Sequence, residues 1–418
     1  MKPIAGEDIP GASCDFVPPS PAGRPLPLRE VMMLTWKSLR HDLRTHLLEA
    51  PERRRLPMLI ARLSKYAVAA LFYHTGLTGA LLRRTLRSRN ACLILGFHGT
   101  TDAEPGYFSP GHAIANVHDQ LRYLRRHLRQ VSLGEIAVAI GRGDAPPSAS
   151  FTVTFDDGLA NNARFAIPAL RDLGLAATFF IPSSLIGSAK DLWVLSLREL
   201  VRGWRGESVP GTPGLWPALS VSDEASRYAA FFRIKETLKV HEARRKEILD
   251  RLAAEAGEQV RPPEADRVMG RDVLMKMIQP PLTVGAHSRS HPILSGLDRA
   301  QCEAEVAGSR ADLEQMLGRP VLDFAYPNGR FPDFDDTTRT VVAEAGFRCA
   351  VTTEPGMVKQ GDDRLALRRC LPGNVPAFLA GFDLLSRAWA DRGRPGDGDR
   401  PLEGRISYLV PRGSRPVH

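Results

Sequence analysis

The sequence predicts an α/β protein built on a parallel sheet, open or closed into a barrel, with a helical extension before it and a helical insertion within it. Two observations carry this. From residue 91 onward, short apolar runs alternate with amphipathic segments across short connections, the pattern of repeated βαβ units. Side chains suited to catalysis (carboxylates at 156 and 157, imidazoles at 287 and 291) stand just after apolar runs, where parallel α/β folds build their sites. At 418 residues the chain suits one domain of roughly 250 residues plus additions.

The elements follow in order. Residues 1–27 are rich in Pro and Gly and lack a central apolar run, so they are expected to be disordered rather than a secretory signal. Residues 28–90 form a basic helical extension with a break near 49–51. Its most apolar part, 66–82, is about 17 residues long, short of the roughly 20 a spanning helix prefers. His74, Thr75 and Gly76 interrupt it, and Arg62, Lys65, Arg83, Arg84, Arg87 and Arg89 flank it. The expectation is a helix lying on a membrane surface or packed on the main domain, with residues 53–89 as the candidate for peripheral association.

The main domain is expected over 91–380. Strands are predicted at 91–97, 151–155, 176–181, 282–286, 321–325 and 349–352. Helices are predicted at 114–128, 133–140, 162–173, 299–317 and 336–345, with Gly174, Gly318 and Gly346 placed to end the last three. The ladder is interrupted at about 190–270, where Trp193, Trp204 and Trp216 precede a charged helix at 224–255. This insertion reads as a lid, a substrate-binding wall or a plain helical cap. Residues 381–418 are expected to be a loose tail, and 409–414 (LVPRGS) match a thrombin cleavage site used in expression vectors, so they carry no functional weight.

Composition excludes several classes. The apolar fraction of 43% and charged fraction of 25% suit a globular protein. Five scattered cysteines without a CxxC pair argue against a disulfide framework or zinc ribbon and fit a reducing, cytoplasmic compartment. The net charge is +9, but the first 90 residues hold fifteen Lys/Arg against seven Asp/Glu, so the remainder is nearly neutral. That distribution gives the catalytic body no basic patch for nucleic acid. The basic segment could instead sit near anionic lipid or simply be solvated, and the expected location is the cytoplasm, with peripheral association at the inner membrane surface as an option.

The chemistry sits in two motifs. Thr154-Phe155-Asp156-Asp157-Gly158 puts two carboxylates side by side at the mouth of a buried strand, where they raise each other's pKa unless a cation or donors compensate. His287-Ser288-Arg289-Ser290-His291 supplies two imidazoles four residues apart. Alone, the first could be a strand-ending turn and the second ordinary core-edge histidines. Together, in this order and each after an apolar run, they suit a divalent metal held by one Asp and two His with a position open for water.

With these motifs the chain resembles the polysaccharide deacetylase family, carbohydrate esterase family four, or NodB-homology domain. Residues 154–158 match the first motif of that family and residues 287–291 the second. Phe324-Ala325-Tyr326-Pro327-Asn328-Gly329 resembles one form of the third, and Ile94-Leu95-Gly96-Phe97-His98 resembles the opening strand. The resemblance covers about 91–380 without the insertion. It implies a distorted (β/α) barrel, and metal-dependent hydrolysis of N-acetyl groups from amino sugars of a glycan or lipid-linked saccharide. Asp157, His287 and His291 would hold zinc, cobalt or manganese, and Asp156 would be the general base. Tyr326, Pro327, Asn328 and Gly329 would face the substrate, with a backbone N–H near Tyr326 steadying the oxyanion.

Two departures stand out. Many members carry an Arg in the third motif that pairs with the base, whereas this chain has Ala325. The late Leu-x-x-His motif that supplies a general acid has no match, since residues 365–371 contain Arg368 and Arg369 but no His; His98 is the substitute. Two further readings stay open: a deformylase of a lipid-linked amino sugar, and a catalytically silent sugar-binding or membrane-associated scaffold. Trp193 could stack on a sugar or belong to the insertion's core.

Overall fold

The computed structural model describes residues 52–391 except 104, 105, 110 and 258–260. The expectations for residues 1–51 and 392–418, including the break at 49–51 and the cleavage-site match, lie outside the described residues.

Seven parallel strands follow one another around the sheet in chain order: β1 (Cys92–Phe97), β2 (Ser150–Phe155), β3 (Ala177–Ile181), β4 (Leu282–Ala286), β5 (Asp323–Ala325), β6 (Cys349–Pro355) and β7 (Leu367–Arg369). The two ends meet. Cys370 N–H donates to Ile94 O (2.8 Å) and Gly96 N–H to Cys370 O (3.0 Å), so the sheet is a nearly closed barrel rather than an open one. A two-residue strand, Arg129–Gln130, pads the start of β2.

Alternation along the strands sorts the core into two clusters. Leu93, Leu95, Phe97, Phe151, Val153, Phe155, Phe179 and Phe324 face outward under the helices. The intervening positions, among them Ile94, Phe180, Ala325, Val351 and Leu367, fill the barrel with Leu133, Ile136 and Ile140 of one helix, α4 below. Burying apolar surface on both faces of every strand explains why these strands read as nearly continuous hydrophobic runs. Asp156, two residues beyond Thr154, inherits the inward direction. That parity places a carboxylate inside the mouth.

The helices are α1 (Glu52–His74), α2 (Leu77–Ser88), α3 (Ile114–His127), α4 (Leu133–Gly141), α5 (Ala160–Arg164), α6 (Ala166–Asp172), α7 (Trp193–Arg202), α8 (Glu224–Lys239), α9 (Glu242–Ala256), α10 (Arg271–Met277), α11 (Arg299–Leu317), α12 (Asp336–Glu344) and α13 (Ala377–Ala390). Three differ from expectation. The helix predicted at 162–173 is split at Phe165, because Pro168 lacks an N–H and its ring excludes the carbonyl four residues back. The charged helix at 224–255 is a pair that folds back at Val240–His241, so that Ile234 and Leu238 meet Ile248 and Leu252 in one core. Residues 381–390, expected as the start of a loose tail, are instead the end of α13, which is buried against α2 along Leu384, Leu385 and Ala388.

Cys92, Cys302, Cys349 and Cys370 are free thiols buried in the core. No helix among the described residues is long and apolar enough to cross a membrane.

Candidate active site

β2, β4, β5 and β7 each deliver part of one cluster at the barrel mouth. Asp157, His287 and His291 offer ligand atoms that all lie within 4.8 Å of one another, the one such group among the described residues. Asp157 Oδ1 stands 3.6 Å from His287 Nε2 and 3.4 Å from His291 Nε2, yet is buried with no hydrogen-bond partner. His287 Nδ1 lies 2.7 Å from Ala325 O, which makes it the protonated nitrogen and leaves the Nε2 lone pair facing Asp157. An orphaned carboxylate oxygen opposite two imidazoles is a costly arrangement unless a cation joins them, so the donor set fits a divalent metal.

The backbone here is strained. Asp157, Ser288, His291 and Asn328 all adopt positive φ (57° to 68°), four of the six non-glycine residues that do so among the described ones. Each such residue costs on the order of 1 kcal/mol or more, and the surrounding structure must hold it. For the His loop the holding is visible. Glu305 on α11 accepts from Arg289 N–H (2.9 Å), Ser290 N–H (2.8 Å) and Ser290 Oγ (2.7 Å), while Asp312 pairs with Arg289 Nε at 2.9 Å. Arg289 and Ser290, between the histidines, thus anchor the loop while the histidines face the centre.

Asp156 is fully buried and held by Arg369 at the end of β7. The guanidinium donates in fork fashion, Nη1 to Oδ1 at 2.8 Å and Nη2 to Oδ2 at 2.6 Å. Its remaining donors reach Thr154 Oγ1 (3.0 Å) and Thr352 O (2.6 Å), which fixes the fork inside the barrel. Burial raises the pKa of Asp156, and the Arg369 charge and hydrogen bonds more than offset that, so the carboxyl is ionised below its ordinary range. His98, at the end of β1, is half-exposed, with Nε2 3.9 Å from Asp156 Oδ2.

A polysaccharide deacetylase family model matches residues 209–350, a span that includes the His pair and the third motif. By this match the chain is similar to the polysaccharide deacetylase family over about a third of its length. Over 96 residues it is 28% identical to the putative polysaccharide deacetylase YxkH of Bacillus subtilis (strain 168), an alignment covering 23% of this chain and 33% of that protein; it therefore matches about a third of that relative's length. Solved structures similar to it include the Streptococcus pyogenes deacetylase PplD in complex with acetate (18% identity, TM-score 0.43, 71% of this chain and 98% of that one). IcaB from Ammonifex degensii is similar at 18% identity and TM-score 0.42, covering 71% and 97%. A de-N-acetylase from Aggregatibacter actinomycetemcomitans is similar at 14% identity and TM-score 0.46, covering 70% and 99%.

Against the family pattern, the arginine is present but comes from elsewhere. Ala325 lies on the barrel's inner face, and the guanidinium that its position lacks is supplied by Arg369, 213 residues from Asp156 in sequence. The sequence around Arg369 carries no motif that assigns it a role. Its one signal was parity, since it stands two residues after the inward-facing Leu367.

The third motif corrects a second expectation. Tyr326 points into the outer core, 1% exposed, stacked on Phe334 and donating its hydroxyl to Leu365 O (2.8 Å). Its backbone N–H donates to Val351 O (3.2 Å), so it is not available to an oxyanion. Pro327 has no N–H, and Gly329 N–H turns back to Pro327 O. Gly329 itself is required by close approach: a Cβ there would meet Tyr326 O at 2.9 Å and Thr353 N at 3.0 Å, at a φ of +69°. Asn328 is different, because its buried side-chain Nδ2 has no hydrogen-bond partner.

The insertion borders the mouth. Tyr228 and Phe231 of α8 pack on Tyr107 and Phe108 of the loop after β1, and Lys239 pairs with Asp333 of the loop after β5 (3.2 Å). Trp193 starts α7 and packs against the insertion's own core, with the Arg245 guanidinium 4.7 Å from its ring centre.

Proposed function

We propose that this protein is a metal-dependent amidohydrolase, acting on a carbon–nitrogen bond other than a peptide bond, that removes N-acetyl groups from amino sugars of an exopolysaccharide or lipid-linked saccharide. The observation that carries the proposal is the pairing of an Asp157–His287–His291 donor set with a second, ionised carboxylate that is no part of it. One carboxylate is committed to the cation and the other remains free for protons, which is why the motif needs both.

A divalent cation on Asp157, His287 and His291, zinc, cobalt or manganese by this mixed nitrogen and oxygen set, supplies Lewis acidity and lowers the pKa of water to near 7. The protein's side chains do the rest. Asp156 takes the proton of the attacking water, and Arg369 keeps that carboxylate charged and aimed. His98, on the exposed side of Asp156, gives a proton to the departing amine as the acyl C–N bond breaks. The Asn328 amide is a donor for the acyl oxygen or a sugar hydroxyl. The insertion walls the mouth, a place for the sugar chain to rest. The Arg369–Asp156 pair speaks against a silent scaffold, since the departure at Ala325 is compensated in space.

The test is acetate release from N-acetylglucosamine oligomers and lipid-linked sugars, with and without chelator. Activity lost on chelation and restored by zinc, cobalt or manganese is the expected result. Formate in place of acetate would move the assignment to deformylation, and metal and glycan binding without any released acid would end it.

A further inference from the structure

The extension formed by α1 and α2 presents an apolar face that nothing among the described residues covers. Its inner side is spoken for: Tyr66 and Ala69 pack with Phe378 and Leu379 of α13, and Tyr73 stacks on Tyr123 of α3. The outer side shows Leu63, Ala67, Val68 and Leu71, spaced as one face of a helix, and Leu77 and Ala80 continue it past the turn at Gly76. Leu71 is 61% exposed and Leu63 43%, and both belong to a single ridge rather than to scattered positions. A shallow apolar hollow joins the two helices along Leu71, Phe72, Leu77 and Ala80. A continuous exposed apolar face of this kind on a soluble domain marks an interaction surface.

Charge selects the partner. Arg83, Arg84 and Arg87 stand exposed on the same helix as Leu77 and Ala80. Residues 52–90 hold nine Lys/Arg and one acidic residue, whereas residues 1–51 hold six of each. The neutral preceding segment offers such a face no complementary charge, while an anionic lipid surface answers both its apolar ridge and its cations. Lys65 is already paired with Asp383 at 2.8 Å and does not count toward this surface.

We propose that the α1–α2 face docks on an anionic bilayer, with Leu63, Val68, Leu71 and Leu77 entering the headgroup boundary and Arg83, Arg84 and Arg87 contacting lipid phosphates. The helices lie along the surface. This inference stands on the extension alone, and it holds or fails independently of the reaction proposed above.

The test is co-sedimentation of the full chain with phosphatidylcholine vesicles containing about 30% phosphatidylglycerol, beside vesicles of phosphatidylcholine only. Binding is expected to the anionic vesicles and to weaken steeply with salt. The triple variant R83E/R84E/R87E should bind roughly 100-fold or more weakly. The double variant Leu63→Glu with Leu71→Glu should lose at least about tenfold, while Val138→Glu, at an exposed apolar position on α4, should bind as the parent does. Far-ultraviolet circular dichroism checks that every variant is folded. No binding to anionic vesicles, equal binding to both vesicle types, or binding untouched by the two multiple variants would overturn the proposal. So would a dimer that dissociates on Leu71→Glu without vesicle binding, which would assign the face to a second copy.

Discussion

Replacing Arg369 by Met removes a fork of two charge-assisted hydrogen bonds from Asp156 while leaving a side chain of similar length to fill the barrel. Arg369 is fully buried and Asp156 nearly so, so no water replaces the lost donors. Breaking one side of a buried ion pair costs about 3–5 kcal/mol, because the remaining charge is desolvated and alone. Thr352 O and Thr154 Oγ1 lose a partner as well. In the parent protein, the pKa of Asp156 is depressed, so its contribution to stability is present above the unfolded-state value near 4 and fades as pH falls through the lower folded value. In the variant burial acts unopposed by Arg369 and pushes that pKa upward, so the sign reverses and stability is lost as pH rises through the new value. The gap between variant and parent should therefore be small near pH 4 and reach several kcal/mol near pH 8, read by denaturant titration at both. Acetate release should show the acid limb of its pH profile displaced upward and kcat reduced more than KM, since a protonated Asp156 cannot accept a proton. Arg369→Lys, a single point charge without the fork, should recover part of the stability and little of the rate. A Met variant with the parent's pH profile and the parent's stability at pH 8 would refute the assignment of Arg369 as the partner of the base.

Three further outcomes follow from the same geometry. Asp157→Ala or His287→Ala should abolish acetate release and remove the tightly held divalent metal, measured by elemental analysis of purified protein; full activity in either would refute the metal role. His98→Asn should slow amide substrates by roughly 100-fold, within the range that general acids contribute, but barely affect an activated acetate ester whose leaving group needs no proton. Equal losses on both substrates would remove His98 from the proton-donor role. Gly111→Ala would drive a Cβ into Gly99 O, in the short parallel pair that carries the chain away from His98. The loop must shift to accept it, so turnover should drop and the melting temperature fall by several degrees, and an unchanged variant would show that this pair does not hold the site.

The motifs at 154–158 and 287–291 were legible because they are local. Each is a short run whose apolar strand fixes where it ends, so the order of residues already says which side chain reaches the mouth. Strand β4 and helix α11 were predicted to the residue for the same reason, β4 as a short apolar run buried at four of its five positions and α11 with Cys302, Val306, Ser309 and Leu313 buried at helical spacing. Strand β7 was not, since a three-residue strand carries no periodicity of its own and is defined by its neighbours β6 and β1. The break at Val240–His241 was equally hidden, because either a long helix or a folded pair satisfies the same local propensities until a shared core decides between them.

By itself, then, the amino-acid order determined the strand-and-helix ladder, the Asp-Asp and His-x-x-x-His ends, and the family resemblance they carry, since each depends on neighbours within a few residues. Closure of the barrel, the partnership of Arg369 with Asp156, the outward turn of Tyr326 and the bare face of α1 and α2 came only from the folded chain. These are relations between segments that lie far apart in sequence, and their energies depend on burial and on the distance between charges, neither of which is set before the chain has packed.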